Sequence, residues 1–154
     1  MECRIPMRSA CTILTFVVIG CLLPQLANAE RTVVLITSDS CPVREISNLD
    51  IRKAYLSVAV NIDGHTIRPF RLGGDEKLSQ IFYQSIVAMS QKSYERRALS
   101  MALKFGTPRP VVFEDVDSAA DAVRRLRCSV LYLWKEDADS LEGVRIIKLL
   151  WQGE

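Results

Sequence analysis

The sequence predicts an α/β protein, a single three-layer α/β/α lobe around a mixed sheet of about four to five strands. Three observations predict it. Residues 31–37 (RTVVLIT), 128–134 (CSVLYLW) and 143–151 are β-branched or apolar runs of strand length. Between them, apolar residues recur at three- and four-residue spacing, the period of a helix that buries one face. The 154 residues are 49% hydrophobic and 25% charged, with a net charge of +2. Such a balance supports one packed core and excludes disordered, collagen-like and polybasic chains.

Residues 1–29 read as an export signal. Arg4 and Arg8 give a basic start, residues 12–23 are an apolar run, and Ala27-Asn28-Ala29 puts small residues where a signal peptidase reads them. The run falls short of the about 20 residues that a membrane-spanning helix needs. Two alternatives stand beside cleavage after Ala29. One is a retained anchor helix; the other is lipid attachment at Cys21, which follows Val18-Ile19-Gly20. Cleavage leaves residues 30–154 as one domain, periplasmic or secreted. The segment carries two basic residues and one acidic, so the net charge falls from +2 to +1. A nearly neutral domain has no electrostatic demand for nucleic acid.

Cys3, Cys11 and Cys21 leave with the signal, and Cys41 and Cys128 remain. Two cysteines in an oxidising compartment predict one disulfide.

The elements follow in order. Residues 31–37 form a strand buried on both faces. Residues 38–42 are a polar turn. Ser47 and Asp50 have capping-box spacing and open a helix through Leu56. Asp63-Gly64 is a turn, followed by an extended segment over residues 66–71. Pro69 donates no hydrogen bond, which predicts a sheet edge or a local irregularity. Leu78, Ile81, Phe82, Ser85, Ile86 and Met89 share a helical face. Tyr94, Ala98, Met101, Ala102 and Phe105 share that of a second helix over residues 93–105, stopped by Gly106, Pro108 and Pro110. Asp117 caps a helix over residues 118–126, where Arg124, Arg125 and Arg127 complement the negative end or gather an anion. Strands 128–134 and 143–151 flank an acidic exposed connection at residues 135–142.

Catalytic chemistry has little to work with. His65 is the one histidine and sits after a turn, no Cys/His cluster has zinc spacing, and no carboxylate repeat resembles a calcium loop. The GGDEK stretch is neither a Walker nor a Rossmann loop. No enzyme activity, metal or cofactor is expected.

The order of segments resembles the short periplasmic phosphate-binding-protein-like domains, similar to the second lobe of phosphate ABC transporter substrate-binding proteins. The matching stretches are VVLIT, NLDIRKAYLS, IDGHTIRPFRL, LSQIFYQSIV, ALKFGTPRP, DSAADAVRRL, CSVLYLW and VRIIKLLW. That family grips its anion with an Arg-x-Asp-Gly-Ser-Gly-Thr run. Here the corresponding residues are Arg71-Leu72-Gly73-Gly74-Asp75-Glu76-Lys77, with the hydroxyl donors replaced by carboxylates. The resemblance implies a small-anion site, phosphate or similar, at Arg71, Gly73, Gly74, Asp75 and Lys77, with an ABC transporter as partner. Backbone amides at a helix start and two cations would hold the anion; the competing reading is that Asp75 merely caps the helix. The resemblance also implies that the first strand runs antiparallel to its neighbours, which puts Cys41 and Cys128 at the same end. The alternative function is a ligand-free periplasmic interaction module on the same fold.

Overall fold

The computed structural model describes residues 30–153; the export-signal reading, with Ala29 and Cys21, lies outside the described residues. Five strands make one mixed sheet: β1 (Arg31–Ser38), β4 (Arg68–Leu72), β5 (Val111–Phe113), β6 (Ser129–Trp134) and β7 (Val144–Gly153), in the order β5-β4-β6-β1-β7. A small hairpin, β2 (Asn61–Ile62) with β3 (His65–Thr66), stands apart around the Asp63-Gly64 turn. β4 runs parallel to β5 and β6, whereas β1 runs antiparallel to both of its neighbours, β6 and β7.

The register sorts the side chains between two faces. Val33 pairs with Trp134 and Leu35 with Tyr132, while Pro69 pairs with Val130 and Phe70 with Leu131. Paired residues share a face and alternate residues change it. Tyr132, Trp134 and Arg71 therefore point to one side, and Phe70, Leu72 and Leu131 to the other.

The Arg71 face is covered by α1 (Asn48–Tyr55), α2 (Glu76–Ile81) and α3 (Gln91–Phe105). Ser47 caps α1 by accepting the Asp50 amide at 3.0 Å and donating to its carboxylate at 2.7 Å. α2 runs into a π turn, Phe82–Ile86, where the Val87 amide reaches back to the Phe82 carbonyl at 3.0 Å. That widened turn brings Phe82 flat onto Tyr132, with ring centres 4.8 Å apart, and leaves Met89 beyond the helix. α4 (Val116–Arg125) covers the other face, burying Ala119, Ala120 and Val123; Ser129 Oγ donates to the Val123 carbonyl at 3.3 Å. The core lies between, led by Leu35, Ile36, Tyr55, Leu78, Phe82, Leu131, Tyr132 and Leu133.

Several sequence expectations are corrected. Asp115, not Asp117, caps α4, accepting the Ser118 amide at 2.8 Å; Val116 packs on the core and draws the helix start back. Residues 135–142 are not an open connection, because Lys135–Ser140 forms helix α5 and buries Ala138. Pro69 lies in an interior strand. The Arg68 amide bonds toward β6, at the Cys128 carbonyl, so the proline nitrogen faces the β5 side, where pairing begins one residue later at Phe70. Along α3 only Tyr94 and Ala98 of the expected face are buried, while Phe105 projects into solvent. Gly106 does stop the helix, in the left-handed conformation at φ 64°.

At the far end of the sheet Cys41 and Cys128 form a disulfide, with Cα atoms 4.9 Å apart. Arg145 ties down the same loop, donating to the Asp39 carbonyl at 2.9 Å, the Val43 carbonyl at 2.7 Å and the Cys41 carbonyl. Among the described residues no helix is long and apolar enough to cross a membrane.

Candidate functional site at the strand ends

The opposite end of the sheet gathers the exits of β4, β5, β6 and β7 with the start of β1. In a sheet of this kind a ligand crevice lies beyond the carboxyl ends of the parallel strands. β4 leaves the sheet through Gly73, whose amide donates to the Phe113 carbonyl at 2.7 Å. Gly74 follows at φ 78°, and a Cβ there would lie 2.9 Å from the Glu114 carbonyl oxygen. Only glycine fits both constraints. A Cβ on Gly73 would lie 3.2 Å from a carboxylate oxygen of Glu114, so an acidic side chain already leans over the first glycine.

Asp75 uses both carboxylate oxygens. Oδ1 accepts the Leu78 amide at 2.8 Å, which caps α2, and Oδ2 accepts the Trp134 indole N–H at 2.7 Å. The Arg31 guanidinium stacks 3.7 Å from the Trp134 ring centre. Partial burial pushes the Asp75 carboxyl up, but the two hydrogen bonds and the Arg31 charge outweigh it and hold its pKa below the ordinary value. The Lys77 ammonium lies 6.0 Å from the Trp151 ring. Gly74, Asp75, Glu76, Lys77 and Gln80 line a shallow depression open to solvent.

Arg71 sits elsewhere. Its side chain, 11% exposed, enters a box of rings beneath the helix layer. The guanidinium carbon lies 4.7 Å from the Phe82 ring centre, 4.9 Å from that of Tyr94 and 5.4 Å from that of Tyr83. Nη2 donates to the Tyr83 hydroxyl at 2.7 Å and Nη1 to Glu95 Oε1 at 3.4 Å. Burial works against the cation, yet the surrounding tyrosines, Tyr132 first, outweigh it and raise its pKa. The rings return the favour structurally: Tyr55, Tyr94 and Tyr132 donate to the carbonyls of Phe70, Tyr55 and Leu72 at 3.0, 3.0 and 3.3 Å.

The structure thus brings Gly73, Gly74, Asp75 and Lys77 to one rim and commits the Arg71 charge to Tyr83 and Glu95. Sequence reasoning missed Trp134, Glu114, Tyr83 and Glu95. Each meets its partner across elements distant in sequence, and no local spacing announces such a contact. His65 stays at the β2–β3 hairpin, and among the described residues no acidic, cysteine or histidine group is placed to hold a metal ion.

No family model matches the chain, and no curated protein is similar to it in sequence. Solved structures are similar in fold. PstS from Borrelia burgdorferi superposes with a TM-score of 0.56 at 12% identity, over 77% of this chain and 47% of that one. An ABC-type phosphate transport receptor from Vibrio cholerae gives 0.56 at 9%, over 77% and 46%. A putative phosphate ABC transporter substrate-binding protein with bound phosphate, from Clostridium perfringens, gives 0.57 at 14%, over 77% and 45%. The chain spans less than half the length of these proteins and has the fold of one lobe of such a solute-binding protein.

Proposed function

We propose that the chain is an exported, non-enzymatic accessory module that keeps the solute-binding lobe and works by contact with a partner, without capturing an anion. The observation that carries the reading is Asp75. A phosphate-like ligand at the start of α2 would be held by backbone amides and the positive helix end. Asp75 supplies that negative charge from the chain itself and is bonded on both oxygens. Glu114 beside Gly73 adds a second carboxylate, and Arg71 is engaged below the helices. A membrane transporter or another periplasmic protein is the class of partner this reading implies.

A second reading keeps a weak small-anion site at Gly73, Gly74 and Lys77, in association with an ABC transporter. It is favoured by the fold likeness to phosphate-binding proteins and by the glycine-only backbone at Gly74. Thermal shift and calorimetry with phosphate and sulfate separate the two. Ligand at one hundred times its dissociation constant would stabilise the fold by about 2.7 kcal/mol. No shift at millimolar anion is expected. A saturable shift that Lys77→Ala abolishes would overturn the accessory reading in favour of the anion site.

A further inference from the structure

The exposed side of α3 carries two kinds of residue that no part of the rim uses. Lys92, Arg96, Leu99 and Leu103 follow one another at four-, three- and four-residue steps and so form one outward stripe, opposite the buried Tyr94 and Ala98. Leu103 is 77% exposed and Leu99 44%. Four cations, Lys92, Arg96, Arg97 and Lys104, stand on the helix against one carboxylate, Glu95, which is engaged with Arg71. The domain over residues 30–154 is nearly neutral, so positive charge is concentrated on this one element.

We propose that α3 is a docking surface for an anionic lipid bilayer, lying on the headgroups with Leu99 and Leu103 inserted at their boundary. Two features select a bilayer over a protein groove. The large apolar side chains project from a helix instead of lining a concavity, and an interface of acyl chains accepts projecting groups without a matched pocket. Lys92 and Arg96 continue the stripe toward the helix start and Arg97 and Lys104 stand along one side of it, where acidic headgroups would lie; Ser93, Arg96, Arg97 and Ser100 edge an open notch there. A helix that presents basic and apolar residues to the same surface binds in the plane of a membrane through both terms together. This surface lies outside the rim, so the inference does not depend on whether the rim holds an anion.

Co-sedimentation with vesicles tests it, using residues 30–154, which hold every described element and the core, beside the full chain. Vesicles of phosphatidylcholine with about one third phosphatidylglycerol should retain the protein, and pure phosphatidylcholine should not. Arg96→Glu with Arg97→Glu should weaken binding about tenfold or more, given the attraction each cation contributes near a charged surface. Leu99→Ser with Leu103→Glu should weaken it comparably. All four positions are exposed, so thermal melting confirms that the variants remain folded. Absence of binding to the anionic vesicles, or binding that neither variant pair changes, overturns the proposal. So does sedimentation equilibrium in which Leu103→Glu converts a dimer to a monomer while vesicles bind nothing, because the face then joins two copies. Cross-linking from position 103 in native membranes that labels protein and no lipid overturns it in favour of a protein partner. None of these outcomes bears on the phosphate titration, which tests the accessory reading by itself.

Discussion

Arg71 and Tyr83 hold each other beneath the helix layer: the guanidinium of a β4 residue donates to the hydroxyl of a residue in the π turn at 2.7 Å. The strand that leads to the candidate rim is thereby pinned to the helix that leaves it. Removing the guanidinium takes away the ring contacts and leaves a void. Arg71→Ala should lower unfolding free energy by about 2–4 kcal/mol, read from urea denaturation. Glu95→Gln, at a half-exposed partner, should cost about 0–1 kcal/mol. Equal losses in the two variants would mean that the ion pair, and not the ring box, holds the arginine.

Asp75 joins the start of α2 to the end of β6. Asp75→Ala should cost about 1–3 kcal/mol, combining a lost cap with an indole N–H left without its acceptor. A change in the tryptophan emission should accompany it. The folded pKa of Asp75 lies below its ordinary value of 3.8. Its stabilisation is therefore present above that value and is lost as pH falls through the lower folded value. The stability gap between the wild type and Asp75→Asn should narrow when denaturation is repeated at pH 3.

The tyrosine cluster makes the opposite prediction at high pH. Burial raises the hydroxyls of Tyr94 and Tyr132 to about 12, and that of Tyr55 well above its usual 10.0. Raised acids stabilise the fold fully below their unfolded pKa and lose that contribution as pH climbs through the folded one. Stability should decline from pH 10 to pH 12. Tyrosinate absorbance should show a late phase that coincides with loss of the near-ultraviolet circular dichroism.

The Cys41–Cys128 bridge spans 87 residues. Closing such a loop in the unfolded chain corresponds to about 4–5 kcal/mol in the chain-entropy description. The Cys41→Ser, Cys128→Ser double variant should unfold at markedly lower urea, and thiol titration of the wild type under denaturing, non-reducing conditions should find no free thiol in residues 30–154.

Gly64 and Gly74 share a positive φ, at 79° and 78°, but differ in surroundings. Gly64→Ala meets open space and should cost about 1 kcal/mol for the left-handed conformation alone. Gly74→Ala adds a close approach to the Glu114 carbonyl and should cost visibly more, as comparative thermal melting would show.

Much of the fold could be read residue by residue because the signals are local. Ser47 and Asp50 cap within one turn, Gly106 ends α3, and the run VVLIT can only be a strand buried on both sides. The misreadings arose where two local signals competed. Asp115 and Asp117 could each cap a helix, and the packing of Val116 chose the first. Residues 135–142 are too polar to reveal that Ala138 is buried under a helical turn. The candidate rim was half readable: Gly73-Gly74 before a helix start is a local pattern, while the destination of Arg71 is not.

The sequence by itself determined the alternation of strands and helices, the caps and turns that divide them, and that Cys41 and Cys128 are the cysteines of residues 30–154. Each of these depends on residues within a few positions of one another. Only the tertiary structure decided which face of the sheet Arg71 occupies, that Asp75 is bonded to Trp134, and that Leu99 and Leu103 lie on an exposed side of α3. Face assignment follows from the register of β4 against β6, residues 60 or so apart in the chain, and a shift of one residue would turn every side chain to the other side. Long-range pairing, unlike capping, is settled by the packing of the whole core at once.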